Sequence, residues 1–264
     1  EGVLGLVQGD GAVGAELVQL VDMIAMTGSS AVGKKILEAA AGKLNRVVLE
    51  LGGKDPMVVL ESADLTLAAK DAVQYSVTHC GQVCCAVERI YVPESKAQEF
   101  EQLCLDEAAN YDPLQGSLAP LVSVMQRDKV ARHVEAAIAD GARCLKGGPD
   151  EEKSLKDQTP PGSSYYPITV LTDVPHDATI TREETFGPTV CITKYQDEKD
   201  AVSMANDTVY GLTACVYGDQ VKALDVASQP NAGQVRPNCW LRAEAPPDCS
   251  WIGPGASGYG YHPG

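Results

Sequence analysis

Along this chain, short apolar runs alternate with stretches in which apolar positions recur every three or four residues. The first pattern suits strands buried on both faces, and the second suits helices that cover them. Their alternation predicts βαβ units and an α/β fold with mainly parallel sheets and flanking helices. Strands are predicted at 3–7, 23–26, 47–51, 57–60, 88–92, 168–171, 190–195 and 214–217. Helices are predicted at 12–21, 31–41, 65–76, 96–109, 126–140, 197–205 and 220–228, with Gly141 closing the fifth as a C-cap. Residues 1–8 read as a buried strand, and the two strands flanking Gly52 to Pro56 suggest two connected sheets.

Two stretches break the alternation. Residues 147–164, rich in Gly, Pro, Ser and charge, predict an exposed insertion. Residues 242–264, rich in Gly and Pro, predict an irregular segment folded over another part of the molecule, with Trp251 and Tyr259 as aromatic anchors. The pair Arg236-Pro237 is poor strand chemistry.

Composition narrows the function classes. A formal charge of −15 argues against general affinity for nucleic acid, which needs Lys and Arg to displace counterions. No apolar run reaches the roughly 18 residues of a membrane helix, so no membrane insertion is expected. The nine cysteines are odd in number and lack the regular spacing of a disulfide framework. Most of them are expected to be buried thiols in a soluble protein of a reducing intracellular compartment, cytoplasm or organelle matrix. No second Cys/His pair stands near Cys80 and Cys84, so no metal site is expected.

The candidate chemistry is a thiol and a carboxylate, each beside glycines. Cys84 lies in Gly81-Gln82-Val83-Cys84-Cys85, 34 residues after Glu50 in Leu49-Glu50-Leu51-Gly52-Gly53-Lys54. A thiolate can add to a carbonyl carbon, and a nearby carboxylate can deprotonate the water that hydrolyses the resulting thioester. Taken singly, most cysteines are small buried hydrophobes, and a strand-end carboxylate is usually solvated. Gly9-Asp10-Gly11-Ala12-Val13-Gly14 fits the G-x-G-x-x-G pattern, but the acidic residue expected after a second strand is missing.

These two motifs, with Arg182-Glu183-Glu184-Thr185-Phe186-Gly187-Pro188 and Asn206-Asp207-Thr208-Val209-Tyr210-Gly211-Leu212, follow the order and nearly the spacing found in NAD(P)-dependent aldehyde dehydrogenases. The chain resembles that superfamily from its first residue to its last. The resemblance implies Cys84 as nucleophile, Glu50 as general base, Glu184 on the nicotinamide ribose and Phe186 against the cofactor. Thr27-Gly28-Ser29-Ser30-Ala31-Val32-Gly33 resembles the family's cofactor turn, with Gly28, Ser29 and Gly33 as cofactor residues. Ser29 reads equally as a phosphate contact and as a helix N-cap. Trp251 stands for a substrate-side Phe, and Gly255 replaces a usual Lys.

Further implications are NAD or NADP as cofactor, a small aldehyde as substrate, and a homo-oligomer or a subunit of a larger complex. By resemblance, 1–51 is a remnant of a Rossmann-like coenzyme domain, 52–241 a catalytic domain, and 242–264 a segment returning toward the active site. Family members are nearly twice this length, which implies truncation at the N-terminus and just short of the C-terminus. An alternative expectation is a noncatalytic family-derived subunit within a larger assembly.

Overall fold

The computed structural model describes residues 2–240, 250–251, 253–260 and 262–263. Helix α1 (Gly11–Leu20) leads through β1 (Met23–Thr27) and α2 (Ser30–Ala41) to β2 (Arg46–Glu50). Then come β3 (Asp55–Val59), α3 (Leu65–Val77), β4 (Val87–Pro93), α4 (Ala97–Ala108), α5 (Val124–Ala139) and β5 (Arg143–Lys146). Helix α6 (Gly148–Gln158), β6 (Thr169–Thr172), α7 (Thr179–Arg182), β7 (Thr189–Tyr195), α8 (Glu198–Asn206) and β8 (Thr213–Tyr217) continue the alternation. The last elements are α9 (Gln220–Ala227), β9 (Gln234–Pro237) and the short strands β10 (Ser250–Trp251), β11 (Gly258–Tyr259) and β12 (His262–Pro263).

The larger sheet has the order β5-β6-β7-β4-β3-β8-β9 and is parallel except for the β5–β6 pair. Its central strands β3, β4 and β8 are buried at every residue. Alternation within them divides the core in two: Met57 and Val59 pack toward α3, α4 and α5, while Val58 and Leu60 pack toward α8 and α9. Both faces are therefore covered, which is why these strands are largely apolar, with Glu88 and Arg89 of β4 as buried exceptions. Pro237 sits in β9, a sheet edge, where a missing N–H costs no ladder bond.

In the smaller sheet β1 and β2 are parallel and β11 runs antiparallel to β2, pairing Gly258 with Glu50 and Tyr259 with Leu49. The late chain thus returns to β2. Residues 242–249 of that predicted tail, Cys249 among them, lie outside the described residues. No described helix is long and apolar enough to cross a membrane. Among the described cysteines, Cys80, Cys85, Cys104, Cys191 and Cys215 are buried thiols.

Three expectations need correction. Residues 3–7 form no strand: Val3 is 97% exposed and Leu4 94%, and no described strand lies beside them to satisfy their backbone. Residues 147–164 are mostly exposed, as expected, but they carry a helix that was not predicted: Pro149 and the acids Asp150 and Glu151 start α6, which buries Glu152 and Leu155. Tyr259 is no anchor, being 56% exposed.

A buried polar network joins α5 to the large sheet. Lys54, just before β3, pairs with Glu88 of β4, and donates to Thr185 Oγ1 at 3.2 Å. On α5, His133 Nδ1 lies 3.2 Å from the same hydroxyl. Burial, with the charges of Lys54 and Lys129, pushes the His133 pKa down to about 4. The unfolded chain binds that proton from the ordinary value of 6.5 downward, whereas the folded protein does so only near 4. Stability owed to neutral His133 is therefore complete above 6.5 and lost as pH falls toward 4. Urea unfolding at about pH 7 and about pH 5 is expected to show a larger acid loss in the wild type than in His133→Gln. Equal losses would refute the assignment.

Candidate active site

Three loops meet where β2 ends and β3, β4 and β7 begin. The first is Leu51-Gly52-Gly53, between β2 and Lys54. The second runs from the end of α3 through Cys84 and Cys85 into β4. In it His79, Cys80 and Gly81 all adopt left-handed backbone (φ 50, 58 and 72°), which reverses the chain tightly enough to bring the cysteines back to the sheet. The third is the segment from Glu183 to Pro188 that enters β7.

Glycine is required at two of the contacts. A Cβ on Gly53 would collide with the Cys84 carbonyl oxygen, and one on Gly81 would collide with the Gly187 carbonyl oxygen. The motifs beside Glu50, Cys84 and Phe186 are thus packed on one another through bare backbone. On the far side of the cysteines, Trp240 stacks on Tyr75 of α3 (centroids 4.4 Å apart), and its Nε1–H donates to the Cys85 carbonyl at 2.8 Å.

The electrostatics separate two adjacent thiols. The Cys85 thiol, as hydrogen-bond donor, holds the Cys84 pKa below the ordinary range, and the backbone amides of Cys84 and Cys85 act in the same direction. Burial and the nearby Glu184 oppose the shift. The bond to Cys84 together with burial raises Cys85. Cys84 is half-buried and Cys85 buried, so the negative charge belongs on the better-solvated sulfur. Glu184 is pushed up to about 7 by burial, with the charge of Glu88 adding to the shift. Its Oε1 accepts from Gly53 N–H at 3.2 Å.

A cavity of about 230 Å³ opens among these loops, lined by Thr27, Gly28, Ser29, Leu51, Gly52, Cys84, Gln126, Lys129, Glu184 and Phe186. The N-terminus of α2 forms one wall. Ser29 is its N-cap, accepting from Val32 N–H at 3.4 Å. A second cavity, about 580 Å³, lies between α1 and α2, with Val18, Met26, Val32 and Ile36 in its largely apolar lining. The N-terminus of α1 is different in kind: the Asp10 carboxylate caps it, accepting from Ala12 N–H at 2.9 Å and Val13 N–H at 3.4 Å. An acid already fills that anion position, so the G-x-G-x-x-G match there is a capped helix start.

Cys84, Glu184, Phe186, Gly28 and Ser29 therefore share one cavity. Glu50 is half-buried at the end of β2, and the lining begins one residue later, at Leu51. Gly33 is buried on α2, where a Cβ would press on the Leu51 and Leu49 side chains, so its place is in helix–strand packing. Sequence reasoning missed Gln126 and Lys129, which project from the first turns of α5 at i and i+3. That spacing puts them on one helix face, but a polar helix face reads by default as solvated. Glu88 and Trp240 gave no local signal. Among the described residues no cluster of His, Cys, Asp or Glu could hold a metal ion.

Comparison with known proteins gives a consistent pattern. A profile of the aldehyde dehydrogenase family matches residues 1–264. Aminoaldehyde dehydrogenase 2, peroxisomal, of Pisum sativum is 38% identical over 270 residues, covering 98% of this chain and 52% of the relative. The 3-succinoylsemialdehyde-pyridine dehydrogenase of a Pseudomonas species is 38% identical over 247 residues, covering 90% and 50%. Among solved structures, betaine aldehyde dehydrogenase from Staphylococcus aureus in complex with NAD+ superposes with a TM-score of 0.86 at 32% identity, covering 97% of this chain and 51% of that one. The chain spans about half the length of the curated relatives it matches.

Iodoacetamide is expected to label Cys84 ahead of the other cysteines, with an apparent pKa below the ordinary thiol value of about 8.5, while Cys85 stays unlabelled in the folded protein. Timed alkylation between about pH 6 and pH 9, read by peptide mass spectrometry, checks both. A Cys84 profile matching free cysteine would refute the activation.

Proposed function

The chain belongs to the aldehyde dehydrogenase family, and from that premise we propose that its cavity serves the NAD(P)-dependent oxidation of an aldehyde to a carboxylic acid through a thioester on Cys84. The observation that carries this reading is the shared cavity: a thiol of lowered pKa, a half-buried carboxylate, an aromatic ring and a helix N-terminus face one space.

The Cys84 thiolate adds to the aldehyde carbon, forming a C–S bond and a thiohemiacetal oxyanion. Loss of hydride from that carbon leaves a thioester. When bound, the nicotinamide accepts the hydride. Glu50 then takes a proton from a water molecule, whose oxygen attacks the thioester carbon. The C–S bond breaks, the acid departs and Cys84 is again a thiolate.

The donor set suits a dinucleotide. The apolar cavity between α1 and α2 would take the adenine ring, the α2 N-terminus with Gly28 and Ser29 the pyrophosphate, and the cavity beside Cys84 the nicotinamide. Glu184 and Lys129 offer an acceptor and a donor for ribose hydroxyls, and Phe186 an apolar wall. Relatives named for aminoaldehydes and betaine aldehyde favour a small aldehyde as substrate. The expectation of a noncatalytic subunit draws no support from the comparisons.

The test is a rapid-mixing experiment with simple aldehydes and NAD or NADP. Wild type is expected to give a burst of reduced cofactor and an acyl adduct on Cys84, and Cys84→Ser to give neither. Glu50→Gln is expected to keep the burst while steady turnover falls roughly 100- to 10,000-fold. A burst that survives Cys84→Ser would sink the assignment, as would the absence of any Cys84 adduct in the wild type.

A further inference from the structure

Phe186 has left-handed backbone (φ 58°), a conformation uncommon for a bulky residue with a Cβ, and it does so while lining the cavity beside Cys84. Something must hold it there. The N–H groups of Thr185 and Phe186 both donate to the Glu88 carboxylate, at 2.8 and 2.9 Å. The carbonyls of the same two residues accept from the Gln126 amide at 2.9 and 2.8 Å. All four backbone polar groups of this dipeptide are thus bound by side chains from β4 and α5. Glu88 is 4% exposed, and Lys54 neutralises its charge. An apolar residue in its place would orphan two buried amides, and a neutral amide side chain has only one acceptor oxygen for them.

We propose that Glu88 is a positioning residue for the site: by binding both amides it keeps Phe186 left-handed, and so fixes the aromatic wall and the adjoining Glu184 carboxylate of the cavity. This rests on the cofactor reading above, and its tests separate the two. An ion pair serving stability alone would need only Lys54; the bidentate grip on Thr185 and Phe186 is what directs Glu88 to the cavity. Gln126 completes the grip from the opposite side.

Hydrogen exchange and Cys84 alkylation read the role in the full chain. In Glu88→Gln, exchange of residues 182–188 is expected to rise roughly tenfold or more while the β3 and β4 core changes less than about threefold. Protection of Cys84 by NAD or NADP is expected to weaken about tenfold, with the alkylation rate without cofactor nearly unchanged. The double variant Lys54→Met with Glu88→Met removes the pair without leaving a lone buried charge. If Glu88 positions the segment, exchange there stays fast and protection stays weak even in a stably folded double variant. Recovery to wild-type behaviour in that variant, or a uniform rise in exchange across the sheet, would overturn the proposal. Absence of cofactor protection in the wild type would count against the cofactor reading alone, and the exchange comparison would still decide the role of Glu88.

Discussion

The site hangs on one buried ion pair. Lys54 and Glu88 are withdrawn from water at the starts of two neighbouring strands, with side chains 0% and 4% exposed. Two ions in such a place cost more to desolvate than their attraction alone returns, so an ion pair with no other partners would be a poor use of the core. This pair has other partners. Glu88 receives two backbone amides and Lys54 donates to the Thr185 hydroxyl, so the charges are spread over hydrogen bonds that the segment entering β7 cannot make elsewhere. The pair thereby ties the Gly52-Gly53 loop, the cysteine loop and the segment at 183–188 to one point. Arg89 extends the anchorage, donating to the Lys54 carbonyl at 2.7 Å and to the last carbonyls of α8 at 2.9 Å.

Much of this could be read from the amino-acid order. The central strands announced themselves because both of their faces are covered, which leaves few polar positions in the run, Glu88 and Arg89 of β4 being the exceptions. Cys84 was legible because Gly81 and the Leu49 to Lys54 motif flank it with backbone that must be approached closely, and the collisions that a Cβ would cause at Gly53 and Gly81 give the physical reason. Glu184 and Phe186 came from a motif. What stayed hidden depends on tertiary placement. Glu88 looks like any carboxylate beginning a strand until Thr185 and Phe186, nearly a hundred positions later, present their amides to it. Trp240 is an ordinary apolar residue until it is found stacked on Tyr75 and bonded to the Cys85 carbonyl.

The misreadings have the same origin. Residues 3–7 have the composition of a strand, but a strand exists only where another backbone runs alongside. Residues 147–164 have the composition of a loop, yet Pro149 and two acids make a good helix start, and Leu155 finds a place in the core. Local chemistry proposes an element; the availability of a partner surface decides it.

The cavity wall draws on residues from Thr27 to Phe186, contributed by the turn before α2, the end of β2, the loop before β4, the start of α5 and the approach to β7. No hairpin or helix pair contains it, so its closure depends on contacts between parts of the chain far apart in sequence, the kind that form late and slowly during folding. The shift of the Cys84 pKa has mixed origins: the neighbouring Cys85 thiol and the backbone amides of the two cysteines lower it, whereas burial and Glu184, which come with assembly of the cavity, oppose it. On a nascent or refolding chain, the walls around this sulfur are the last part to close, and a chain stalled earlier carries the thiol without its pocket.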